Sequence, residues 1–276
     1  MKYIYDLETY PNFFLASFKH WVNGTYFEFE ISDRKNDIIA LRKFLYQPDL
    51  KLIGFNNLNF DYPVLHNSIL KNNKIWTSYE IYDEVCKVID AEYSSIWDNL
   101  VKIPQLDLYR IWHYDNKNKR TSLKWLEFAM RMDNIQDLPY KPGTILKDVE
   151  MDEIIMYCRN DLDATDEFFK LSNKHIKIRE FYSNLEGINL INASETKIAK
   201  EVFGKYLSKD MGISYKDLKL KRTNRYHIDI KDIIFPYIKF NDPVNQRLLD
   251  FFNNFVWKSN DEGYSSKIAY SNSYVN

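Results

Sequence analysis

The sequence predicts an α/β fold, a mixed sheet covered by helices. Two observations carry that expectation. Three short β-prone runs follow one another at the start of the chain, and a helix, a further strand and several amphipathic helices come after them. The order is compatible with α/β or α+β architecture, with the first three strands forming a meander.

The elements read as follows. Residues 2–7, Lys-Tyr-Ile-Tyr-Asp-Leu, form a buried strand that ends in an acid. Asn12–Lys19 and Thr25–Ile31 give two more strands, joined through the turn signal Asn23-Gly24. Ile38, Ile39, Leu41, Phe44 and Leu45 recur at helical spacing within 35–47. Leu52-Ile53-Gly54-Phe55 is a compact fourth strand, and a helix is expected from Asp61 towards Leu70. Residues 122–132 read as a helix capped by Ser122, with Leu123, Leu126 and Met130 on one face. After the loop Leu138-Pro139-Tyr140-Lys141-Pro142-Gly143 comes the clearest helix, expected from about Asp152 to Leu171. Met151, Ile154, Ile155, Cys158, Leu162, Thr165 and Phe169 form its apolar stripe. A last amphipathic helix spans 192–208, beyond which the periodicity weakens. The basic stretch Lys216–Arg225 and the polar stretch Ser259–Asn276 lie in that region.

Bulk properties narrow the function. The chain has 276 residues, 45% of them apolar and 16% aromatic, enough for a sizeable core and for one large domain, or one domain plus a smaller extension. A net charge of -1 excludes a strongly basic nucleic-acid scaffold but not a nuclease, whose bound cations offset an acidic pocket. Cys86 and Cys158 lack metal-ligand spacing, and two thiols in a chain this long fit a reduced compartment. Neither a signal peptide nor a membrane-spanning run is expected, so the expected setting is the cytoplasm.

The chemistry lies in four carboxylates. Side chains alternate along a strand, so Asp6 and Glu8 point to one side and Leu7 to the other. Asp61 follows the fourth strand at the start of a helix. Asp161 lies on the long helix, and Tyr157, four residues earlier, shares its face. Like charges resist sharing a site. Acids brought together in this way call for divalent cations such as magnesium or manganese, which prefer oxygen ligands. Two such ions about 3.5–4 Å apart would activate a water and stabilise the leaving oxygen in phosphodiester hydrolysis. Asp6 is expected to bridge them, with Glu8, Asp61 and Asp161 completing their shells. At an ordinary pKa of about 10, Tyr157 suits positioning of the water better than proton abstraction.

Asp6-Leu7-Glu8-Thr9, Asn57-Leu58-Asn59-Phe60-Asp61 and Tyr157-Cys158-Arg159-Asn160-Asp161 resemble the three motifs of the DEDD exonuclease superfamily, tyrosine subclass. The likeness is greatest to the 3′–5′ proofreading domains of bacteriophage DNA polymerases. Ser122-Leu123-Lys124-Trp125-Leu126 is similar to a Ser/Thr-Leu-x-x-hydrophobic motif of protein-primed phage polymerases. Leu138-Pro139-Tyr140 and Asn192-Ala193-Ser194-Glu195-Thr196 also look like phage polymerase text, and the resemblance covers about residues 1–210. It implies an RNase H-like α/β fold, with a five-stranded mixed sheet built from the meander plus parallel strands. It implies removal of nucleotides from the 3′ end of single-stranded DNA, and contacts from Thr9, Asn57, Phe60 and Leu123 to the terminal nucleotides. The domain expectation is therefore an exonuclease domain over 1–208 and an extension over 209–276 leading towards a polymerase palm. That palm, with its own metal-binding aspartates, is not expected within these residues, so the chain reads as an excised fragment or the product of a split gene. No nucleotide incorporation is expected of the chain alone, and a separate polymerase subunit is an expected partner.

Two other readings compete. One keeps the chemistry and takes RNA as substrate, since nothing in the motifs reports on the 2′-hydroxyl. The other is a non-catalytic module that docks on a polymerase subunit. Two basic segments, Lys117, Lys119, Arg120 and Lys124, and Lys216, Lys219, Lys221, Arg222 and Arg225, read either as solvated faces or as phosphate contacts. The five histidines form no ligand pattern, and most of the aromatics are expected in the core.

Overall fold

The computed structural model describes residues 1–91, 95–220 and 226–258. Strand β1 (Lys2–Tyr10) pairs antiparallel with β2 (Phe13–His20), and β2 pairs antiparallel with β3 (Tyr26–Ser32). The β2–β3 turn uses Gly24 at a φ of 70°, and the Asn23 side chain accepts from the Thr25 amide at 3.1 Å. This is the conformational freedom that an Asn-Gly turn supplies. Helix α1 (Ile38–Leu45) returns the chain to β4 (Lys51–Gly54), which lies parallel to β1.

Helix α2 (Asp61–Val64) continues as a π-helical stretch over Leu65–Leu70. The Ser68 hydroxyl donates to the Val64 carbonyl at 2.6 Å, a side-chain insertion of the kind that loosens a helical ladder. Helix α3 (Ser78–Asp90) has a capping box between Thr77 and Glu80. Strand β5 (Gln105–Asp107) pairs parallel with β4 and passes directly into α4 (Leu108–Ile111). Ser122 caps α5 (Leu123–Met130) by accepting from the Trp125 amide.

Helix α6 (Asp148–Leu171) begins one turn before the expected Asp152, because Glu150 folds back to accept from the Lys147 amide at 2.8 Å. Helix α7 (Asn173–Glu186) follows, and α8 (Glu195–Met211) starts where Ser194 caps it, three residues later than the periodicity placed it. The remaining elements are α9 (Tyr215–Leu220), β6 (His227–Asp229), α10 (Pro243–Asn253) and β7 (Val256–Lys258), with β6 and β7 forming a small antiparallel pair.

The main sheet has five strands in the order β3-β2-β1-β4-β5, a mixed sheet of the kind read from the sequence. Its fifth strand is the three-residue β5. The chain divides into two compact units, Met1–Phe203 and Gly204–Asn276. That division and the expected break at 208/209 both fall inside α8. Lys221, Arg222, Arg225 and Ser259–Asn276 lie outside the described residues. No helix among the described residues is long and apolar enough to cross a membrane.

Each face of the sheet has its own core. Tyr3, Tyr5 and Leu7 of β1 pack with Phe14, Ala16 and Phe18 of β2 against α1, α2 and α3. On the opposite face Ile4 and Ile53 meet Leu162, Phe168 and Phe169 of α6, while Tyr10, Phe13 and Leu15 meet Met151, Ile154 and Cys158. Burying such side chains contributes about 1.5–3 kcal/mol each, which fixes the register of β1 under α6. Asp6 and Glu8 lie between those two apolar clusters, on the α6 face.

Candidate metal centre

The site forms where β1 outruns β4. Their pairing ends at Ile4↔Ile53, and β4 stops at Gly54, whereas β1 continues to Tyr10. Beyond Ile4 the β4-side amides of β1 need other partners. Asp61 supplies one: its Oδ1 accepts from the Leu7 amide at 3.2 Å. The acid of the second motif is thereby tied to the backbone between the two acids of the first.

The turn that delivers Asp61 is closely packed. A Cβ on Gly54 would lie 2.7 Å from Cβ of Asn57, so the approach requires glycine. Asp107, at the end of β5, accepts from the Asn56 amide at 3.0 Å and the Leu58 amide at 3.2 Å. The Asn57 amide group donates to Gln105 Oε1, which also accepts from the Tyr5 hydroxyl, each at 2.9 Å. The Tyr62 amide donates to the Asn57 carbonyl, starting α2.

Helix α6 closes the pocket. Cys158 Sγ lies 4.0 Å from Asp6 Oδ2, and the nearest donor atoms of Asp6, Glu8 and Cys158 all lie within 4.8 Å of one another. Asp161, one turn further on, faces Asp6 and Glu8, and the Tyr157 phenol faces Asp161 and Glu8. The four acids and the tyrosine therefore share one pocket, delivered by β1, α2 and α6.

The electrostatics are those of crowded acids. Burial, and then the charge of Asp61, push Asp6 well above the usual carboxylate range. Glu8 is raised by burial and by Asp6, Asp161 and Asp61. Asp61 is pushed up to about 7 and Asp161 to about 8, burial being the first cause in each. Burial and the acids around it also raise Tyr157, so its phenol keeps its proton at neutral pH. The charges that act most strongly on Asp6, Glu8 and Asp161 belong to other acids. Four oxygen-bearing groups with no cationic side chain among the described residues to balance them fit hard divalent cations. Burial holds Cys158 as a thiol, leaving an oxygen donor set for such ions.

The other expected contacts vary in their placement. Thr9 is half-buried and, by alternation, lies on the Leu7 side of β1 rather than with Glu8. Asn57 is fully buried and braces the turn, which leaves it no surface for a nucleotide. Phe60 is half-buried and packs against the core beneath α2, and Leu123 is half-buried at the start of α5.

Three neighbours of the pocket were not read from the sequence. Asp107 anchors the turn below Asp61, Ser17 stands opposite Asp6 on β2, and Glu127 of α5 adds negative charge beside Asp161. Only Asp107 had a usable signal, as an acid closing a short β-prone run just before a helix. No protein-family model matches the chain, and no curated protein matches it.

Proposed function

We propose that this chain is a metal-dependent 3′–5′ exonuclease that hydrolyses the terminal phosphodiester of single-stranded DNA. The observation that carries the reading is the convergence of Asp6, Glu8, Asp61 and Asp161 from three separate elements into one cluster, with Glu8 and Asp61 buried, Asp6 and Asp161 half-buried, and Tyr157 beside them. Burying four mutually repelling acids is costly unless something positive offsets them. Asp6, Glu8, Asp61 and Asp161 would hold two divalent cations, magnesium or manganese, and the chemistry these would supply is charge stabilisation at phosphorus and acidification of a water. Tyr157 keeps its proton and orients the attacking water by hydrogen bonding rather than by taking its proton. In this reading the part-exposed Phe60 and Leu123 would contact the terminal nucleotides. In this reading the fold is RNase H-like, the chain works in the cytoplasm, and its partner is a separate polymerase subunit that receives the trimmed end.

The deciding experiment is a gel assay on 3′- and 5′-labelled single-stranded DNA with magnesium, manganese or chelator. Stepwise loss from the 3′ end is expected, abolished by chelator and reduced at least about a thousandfold by Asp6→Ala, on the order of 4 kcal/mol of barrier. Activity that survives chelation, or that is unchanged in Asp6→Ala, would overturn the reading. Faster loss of a matched RNA strand would move the substrate to RNA and keep the chemistry.

A further inference from the structure

The pocket contains a sulfur that hydrolysis does not use. Cys158 is fully buried, with Sγ 4.0 Å from Asp6 Oδ2. Its sulfur and one oxygen each from Asp6 and Glu8 lie within 4.8 Å of one another. Ser17 pairs with Asp6 in the antiparallel register, so the two side chains leave the same face of the sheet. The Ser17 hydroxyl is fully buried, pairs with no nitrogen or oxygen, and has the Cys158 thiol as its polar neighbour. Buried hydroxyls nearly always find an oxygen or nitrogen partner, so a hydroxyl left with only a weakly hydrogen-bonding thiol, beside an acid, marks an incomplete polar site.

We propose that Asp6, Glu8 and Cys158, with the Ser17 hydroxyl beside them, form a site for one thiophilic divalent cation of the zinc and cadmium class, and that its occupancy stops the hard-cation chemistry of the same acids. Such ions take four donors at about 2.0–2.3 Å, which puts donor atoms roughly 3.3–3.8 Å apart, a contraction of about 1 Å from the widest separation here. Sulfur selects them over magnesium and manganese. The step is an exchange at Cys158: the metal–sulfur bond forms, the S–H bond breaks, and the proton leaves to solvent. Nothing is oxidised or reduced. Because Asp6 and Glu8 serve both kinds of ion, the two kinds exclude one another.

The inhibitory half of this inference rests on the exonuclease reading, whereas the binding half does not. The test uses the full chain as Cys86→Ser, which removes the other thiol, and as the double variant Cys86→Ser/Cys158→Ser. Cadmium is titrated near neutral pH while the thiolate-to-metal charge-transfer absorbance in the ultraviolet and the proton release are followed. In Cys86→Ser the absorbance is expected to saturate at one cadmium per chain with one proton released, a signal that needs no substitution at the site. The double variant is expected to lose the absorbance and to bind roughly tenfold more weakly or worse. Zinc is expected to inhibit magnesium-dependent DNA hydrolysis at concentrations about tenfold lower in Cys86→Ser than in the double variant, each measured against its own uninhibited rate. Absorbance that is missing from Cys86→Ser, or equal in both proteins, would overturn the site. Equal zinc sensitivity would overturn the inhibition. A full charge-transfer signal in a protein that degrades no DNA would leave the site standing and remove the exonuclease reading.

Discussion

Asp107 and the four-acid pocket are both buried acidic regions at the C-terminal ends of parallel strands, and they are solved in opposite ways. Asp107 is surrounded by donors: the Asn56, Leu58 and Tyr109 amides at 3.0, 3.2 and 2.9 Å, with Arg110 Nε 3.9 Å away. Burial still pushes it up to about 6, but those bonds hold it down, so it stays ionised at neutral pH. In the pocket the strongest neighbours of Asp6, Glu8 and Asp161 are more acids. A buried carboxylate satisfied by backbone amides is a structural pin. A buried carboxylate facing other carboxylates needs positive charge from outside the chain.

The contrast makes predictions of opposite sign. The largest concerns Asp107→Ala, which leaves one buried and two part-buried amides without an acceptor and should cost about 3–5 kcal/mol in urea unfolding, with or without magnesium. A loss below about 1 kcal/mol would show that Asp107 is not the pin of the turn.

Next comes pH. Asp61 at about 7 and Asp161 at about 8 bind protons more tightly in the folded chain than at the unfolded value of about 3.9. Their contribution is therefore complete below about pH 4 and is lost as pH rises through 7 and 8. Independent titration of the two would give about 7 kcal/mol between about pH 5 and pH 9; solvent screening at the half-buried Asp161 brings the loss expected of chelated protein to on the order of 2–4 kcal/mol, and saturating manganese should remove most of that slope. Melting curves that are flat with pH under chelation would break the comparison from the other side.

Tyr157→Phe should leave stability nearly unchanged and lower the rate of DNA hydrolysis by a factor of about ten to a hundred, the value of one hydrogen bond to a charged group. An unchanged rate would remove Tyr157 from the chemistry. The smallest effect is expected of Asp6→Asn, which relieves repulsion. Without metal it should gain about 1 kcal/mol, ~2–4 °C in Tm, and it should lose the stabilisation that magnesium gives the parent chain.

Much of the site was legible because its acids keep a fixed relation to local periodicity. Asp6 and Glu8 share a strand face, and Tyr157 and Asp161 share a helix face, so the pattern sets the geometry whatever the rest of the fold does. Strands β1 to β4 and helices α1, α5 and α6 were readable for the same reason. Strand β5 was not located, since three residues carry no periodicity. Helices α3 and α7 went unread. For α3 the signal existed, in the box between Thr77 and Glu80 and in Ile81, Val85 and Val88 at helical spacing. Glu127 could not be anticipated: it is buried between the exposed Trp125 and Phe128, and only packing against α6 puts it inside. Asn57 shows the converse. Its place beside Asp61 matched a nucleotide-contacting motif, but Gly54 and Gln105 draw it into the interior.

The hydrogen bond from the Leu7 amide to Asp61 ties the centre of β1 to one of the four acids of the pocket. That amide is then a built-in reporter. Its deuterium uptake and its proton chemical shift should follow occupancy of the pocket at concentrations too low to alter global unfolding, so each mode of occupancy becomes readable at a single backbone position.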